Sequence, residues 1–163
     1  MPFQDFKIDR SKNYGAYSFS EVFKNLQDCK TLWKIFGNKR KFLAMLKNQK
    51  VRVSKKPWDF WVNDKRKEIT IFIHYLRECP KRTLYLDCVH ELVHIRQLQE
   101  GKELFDNRFN YVDRPTEIAA YVVTANEARK IGMSKRQIAN YLAVRWATKE
   151  ENKRLVKNVL DKI

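Results

Sequence analysis

The chain has 163 residues, is 44% hydrophobic and 13% aromatic, and carries a formal net charge of +15. That is long enough for one packed core and too apolar for a disordered chain. No run approaches the ~18 apolar residues of a membrane span, and the polar stretch 1–10 lacks the apolar centre of a signal peptide. Cys29, Cys79 and Cys88 are an odd, scattered set with no disulfide pattern. Reduced thiols in an intracellular, cytoplasmic protein are therefore expected.

In chain order, Ser18 and Glu21 fit a capping box, which predicts a helix to about Asp28. A second helix is predicted over Thr31 to Lys47, with Gly37 and Asn38 able to interrupt it. Val51-Arg52-Val53 alternates, Pro57 breaks the pattern and Trp58 to Val62 resumes it. Residues 63–67 read as a hairpin turn into a strong strand over Glu68 to Leu76. In that strand Ile69, Ile71, Ile73 and Tyr75 share one face, and Thr70, Phe72 and His74 the other.

After Pro80 a helix is predicted over Lys81 to Glu100, stopped by Gly101. Asp113 and Pro115 are expected to open the next, which ends near Gly132. Ser134 is expected to cap a helix to about Ala147, and a last one covers Glu150 to Ile163. This is an α+β pattern in one domain. It divides into a helical N-terminal part (1–50), a central core (51–133) and C-terminal helices (134–163).

The central core contains His90-Glu91-Leu92-Val93-His94. Two histidines four apart on a helix project from one face and can hold one metal ion. Glu91, beside the first, can reach a metal-bound water as general base. A catalytic zinc needs a third protein ligand and one open position. Position 100, where a third histidine would complete the longer motif, is Glu, and the only other histidine is His74. The better third ligand is Glu117, separated from His94 by 22 intervening residues, in the first turn of the next helix. Ala119 and Ala120 beside it permit close helix packing.

The stretch His-Glu-Leu-Val-His-Ile-Arg-Gln, followed by Arg-Pro-Thr-Glu-Ile-Ala-Ala, resembles the gluzincin zinc peptidases, and especially the small single-domain minigluzincins. The resemblance covers about residues 68–130. It implies a zincin-like fold, with a small antiparallel sheet packed on the motif helix. It also implies one zinc ion on His90, His94 and Glu117, and a peptide or protein substrate paired with an edge strand. The chain departs from thermolysin-like members at Tyr121, where they carry an Asp that supports a zinc-bound histidine.

Tyr121 lies one turn beyond Glu117 and is a candidate oxyanion donor, catalytic beside Glu91. Packing between helices is its plain alternative. Tyr111 and His74 are weaker candidates, and His74 reads more simply as a half-buried strand residue. Asp87 borders the metal face, either to orient a ligand or simply to favour the helix N-terminus. Arg96 and Gln97 read as helix-surface residues.

The charge is uneven. Residues 1–60 hold 14 bases and 5 acids (+9), 61–133 hold 12 and 11 (+1), and 134–163 hold 8 and 3 (+5). Basic flanks around a near-neutral centre give the competing expectation. In it the protein binds nucleic acid and its metal site is structural, latent or vestigial.

Overall fold

The computed structural model describes residues 2–163. Met1, counted in the polar N-terminus above, lies outside the described residues. The chain begins with helix α1 (Pro2–Asp5), strands β1 (Lys7–Ile8) and β2 (Gly15–Ser18), helix α2 (Phe19–Val22) and strand β3 (Phe23–Lys24). Helices α3 (Lys30–Ile35) and α4 (Lys39–Asn48) follow. Strands β4 (Lys50–Ser54), β5 (Phe60–Asn63) and β6 (Glu68–Phe72) then lead into α5 (Ile73–Glu78) and the long α6 (Lys81–Gln99). A 3-10 turn (Tyr111–Asp113) precedes α7 (Pro115–Lys130), and α8 (Lys135–Leu142) and α9 (Lys149–Leu160) complete the chain. None of these helices is long and apolar enough to cross a membrane.

The α+β class matches the expectation, but the sheet is mixed and not antiparallel. Its order is β2-β4-β6-β5, and β4 runs parallel to β6, pairing Val51 with Ile69 and Val53 with Ile71. β5 folds back antiparallel on β6, so β5 is an edge strand with one side of its backbone unpaired in the sheet. The turn between them is tight: Asn63 Oδ1 accepts the Arg66 N–H, and Lys67 takes a left-handed φ of 54°.

Three local expectations are corrected. The helix capped by Ser18 lasts one turn before Phe23 turns to strand, although Glu21 does accept the Ser18 N–H and hydroxyl. The 1–50 region is therefore not wholly helical, and its β2 forms the far edge of the sheet. The strand expected to reach Leu76 ends at Phe72. From Ile73 the chain is helical, burying Ile73 and Leu76 and leaving His74 exposed, not half-buried in a strand. The helix capped by Ser134 ends at Leu142, short of Ala147.

The core forms one cluster around α6, which is buried on most of its circumference. Gly101, at φ 76°, ends α6 in a left-handed conformation that costs glycine little. α7 packs against α6; its Ala120, Ala125 and Ala128 are fully buried, while Ala119, expected to help that packing, is exposed. The contact between the two helices brings Glu117 to the histidines.

Candidate metal centre and cleft

α6 and α7 together build the centre. On α6 the four-residue spacing puts His90 and His94 one above the other with ring centroids 4.6 Å apart. α7 starts at Pro115, so Glu117 falls in its first turn, where the helix N-terminus favours a carboxylate. Arg114 occupies the cap position expected for Asp113, whose carboxylate instead takes a two-pronged bond from Arg154 on α9.

Three atoms converge. Glu117 Oε2 lies 3.1 Å from His90 Nε2 and 3.3 Å from His94 Nε2, and the two Nε2 atoms are 3.0 Å apart. A tetrahedral zinc with bonds of ~2.0–2.1 Å has donor-to-donor edges of ~3.3 Å. The spacing is that of a ligand set, and all three side chains are buried. The group can hold a metal ion.

Gln97, expected on the helix surface, is 3% exposed. Its Oε1 accepts from His94 Nδ1 at 2.7 Å, while its own amide nitrogen donates to the Thr116 carbonyl at 3.0 Å. The second bond fixes which end of the amide faces the ring. His94 therefore carries a proton on Nδ1, and its Nε2 points at the other donors. This support joins α6 to the residue just before Glu117. Arg96 is half-buried and pairs with Glu100 along the helix.

His90 is held differently. Its Nδ1 is buried without a hydrogen-bond partner among the described residues, and the Tyr121 ring packs on it with centroids 4.2 Å apart. The Tyr121 hydroxyl shares a hydrogen bond of 2.8 Å with Tyr111. His74 is exposed on α5, away from the three donors, though it lines the same cleft.

Electrostatics set the centre apart. Burial pushes the Glu91 carboxyl well above the usual range and pulls His90 below its ordinary value. Burial acts upward on Glu117 too, but the His94 and His90 rings overcome it and hold that carboxyl low. Burial draws His94 down, yet the Glu117 charge reverses this and raises it to about 9. Metal entry requires the ligating nitrogens and carboxylate to be free of protons.

Glu91 is 7% exposed, and its carboxylate makes no hydrogen bond among the described residues. It lines both of the cavities that meet at the centre. The larger, about 860 Å³, runs along the N-terminal half of α6 between α5 and α8. The smaller, about 510 Å³, lies under Trp58, Trp61, Leu104 and Phe105 beside the edge strand β5. Trp146 and Arg145, from the loop after α8, border both. The Arg145–Asp59 ion pair ties that loop to the residue before β5.

The basic flank between Lys24 and Lys56 lines neither cavity. The chain matches no protein-family model, no curated protein and no solved structure.

Proposed function

We propose that the protein is a zinc-dependent peptidase that hydrolyses peptide bonds in the cleft formed by the two cavities. The observation that carries this reading is Glu91. It is a buried, unpaired carboxylate beside three converging donors, open to the space where a substrate must lie. Imidazole and carboxylate donors in a compact tetrahedral spacing suit zinc.

His90, His94 and Glu117 would hold the zinc ion, which when bound would supply Lewis-acid polarisation of the carbonyl and a water of lowered pKa, ~7. Glu91 accepts the proton of the attacking water and returns it to the leaving nitrogen. Its raised proton affinity favours the first of these transfers. Gln97 keeps His94 in the ligating tautomer. Only one hydrogen lies between the bonded hydroxyls of Tyr111 and Tyr121, so one O–H of the pair is free to donate to the oxyanion. The free edge of β5 offers backbone groups to an extended peptide, which fixes the scissile bond over Glu91.

The test is the pair Glu91→Gln and His90→Ala. Glu91→Gln should keep stoichiometric zinc by elemental analysis and lose about 10²–10⁴-fold in peptide cleavage. His90→Ala should lose the zinc itself. Peptide cleavage unchanged in Glu91→Gln would overturn the reading.

A further inference from the structure

The larger cavity extends well beyond the catalytic centre, and its lining is chemically unlike the rest of the protein. In a chain of net charge +15, four acids line it, Asp59, Glu78, Asp87 and Glu91, against two bases, Arg82 and Arg145. Asp59 and Arg145 answer each other. What remains is three acids against Arg82.

Asp87 stands out among them. Its carboxylate accepts from the Tyr75 hydroxyl on α5 and from the Tyr141 hydroxyl on α8, at 2.5 and 2.8 Å. Both donors are neutral, and no Lys or Arg bears on it among the described residues. The charged groups that bear on it, Asp59 and Glu91, are themselves acidic. Asp87 is half-buried, and a carboxylate even partly withdrawn from water without a cation is costly, so such groups are ordinarily paired. The two tyrosines fix its position and leave lone pairs free.

Resting on the peptidase reading above, we propose that this cavity is a specificity pocket for a cationic substrate side chain, lysine or arginine, with Asp87 as its anion. Position decides between a side chain and a free amino terminus. Asp87 precedes Glu91 by four residues on α6, about 6 Å along the axis at ~1.5 Å per residue. A lysine stem places its ammonium about 6 Å from its Cα, which spans that turn. An α-ammonium lies only two bonds from its own carbonyl carbon and falls short. Tyr75 and Tyr141 act as positioning residues, aiming the carboxylate from either side of the helix. The unpaired Glu91 carboxylate opens into the same space, so the pocket is continuous with the reacting bond.

The experiment measures binding separately from cleavage. Zinc-loaded Glu91→Gln protein is titrated calorimetrically with an acetylated, amidated Ala-Gly octapeptide carrying one Lys. Its counterpart carries norleucine, which has the same chain without the charge. The lysine peptide should bind about 10–100-fold tighter, since truncating one partner of a desolvated charge pair has effects of this order or larger. Adding Asp87→Asn should abolish the difference. Adding Tyr141→Phe should keep a preference, because the charge remains. Equal binding of the two peptides, no binding of either, or a preference that survives Asp87→Asn overturns the proposal. If only peptides with a free amino terminus bind, it is likewise overturned. Wild-type cleavage then separates the two readings. Lysine-selective binding without any cleavage fails the peptidase and leaves the pocket standing. Cleavage without selectivity does the reverse.

Discussion

α7 buries two glutamates, and they live in opposite surroundings. Glu127, near its C-terminal end, is surrounded by donors. The Tyr85 hydroxyl reaches it at 2.6 Å, the Thr31 hydroxyl bonds its other oxygen, and Lys130 stands 3.7 Å away. It lines neither cavity at the centre and ties α3, α6 and α7 together. Glu117, near the N-terminal end, faces two imidazole nitrogens and a cavity. The difference separates a carboxylate that holds the fold from one that holds a ligand. The first has its hydrogen bonds completed by the protein, and the second is aimed at other electron-rich atoms.

Exchanging the two losses is the strongest way to break this comparison. Glu127→Leu leaves two hydroxyls without their acceptor and Lys130 without its ion-pair partner, and should cost about 2–4 kcal/mol. In a chain of this size that lowers the thermal midpoint by about 4–16 °C. The folded fraction should still take up zinc at the wild-type ratio. Glu117→Gln should do the opposite. Its zinc affinity should fall by more than the 10–100-fold typical of losing a residue that only supports a ligand. Its metal-free melting should stay within about 2 °C of the wild type. If elemental analysis finds Glu117→Gln loaded like the wild type, the carboxylate is not a ligand and the contrast with Glu127 collapses.

A smaller effect probes how the centre is held. Gln97 and Arg96 are neighbours on α6, one buried against His94 and one in a surface pair with Glu100. Gln97→Ala should lower zinc affinity about 10–100-fold, by freeing the His94 ring to rotate or change tautomer. Arg96→Ala should leave it unchanged, as expected of a half-exposed i, i+4 pair that touches no ligand. Competition against a chelating zinc indicator measures both. Equal affinities for the two variants would remove the role given to Gln97.

What the sequence revealed follows from the range over which its patterns act. The His90–His94 spacing is helical arithmetic, and Glu117 needed only a helix returning across the first. Both are local periodicity plus one turn. The hairpin of β5 and β6 was equally legible from its turn residues. Gln97 is three residues after His94 and so on the same face, a signal that was present but outweighed by the usual exposure of glutamine. The end of β6 was ambiguous in principle. Ile73 and Leu76 fit a helical i, i+3 pair as well as Ile71, Ile73 and Tyr75 fit a strand, and the buried sites on α5 decided it. The parallel pairing of β4 with β6 has no local signature. Nor does the Asp87–Tyr141 bond, which closes 54 residues of chain.

The mildest prediction turns on the same question as the opening comparison, whether Asp87 serves the fold or a ligand. Burial raises its carboxyl from the ordinary 3.8 to about 6, against the pull of the two tyrosine hydroxyls. A carboxyl raised on folding adds stability that is complete below the unfolded value, near pH 4, and is lost as pH rises through about 6. Above that the wild type bears the cost of a partly buried charge. Asn at this position mimics the protonated acid at every pH. Asp87→Asn should therefore gain about 1–2 kcal/mol relative to the wild type on going from pH 4 to pH 8, after discounting for the partial exposure of the group. Metal-free melts of both proteins at the two pH values measure it. A residue retained for the fold alone would lose stability on substitution at both. A pH-independent difference would return Asp87 to the class of Glu127. A gain confined to high pH would place it with Glu117, as a charge the fold tolerates because something binds to it.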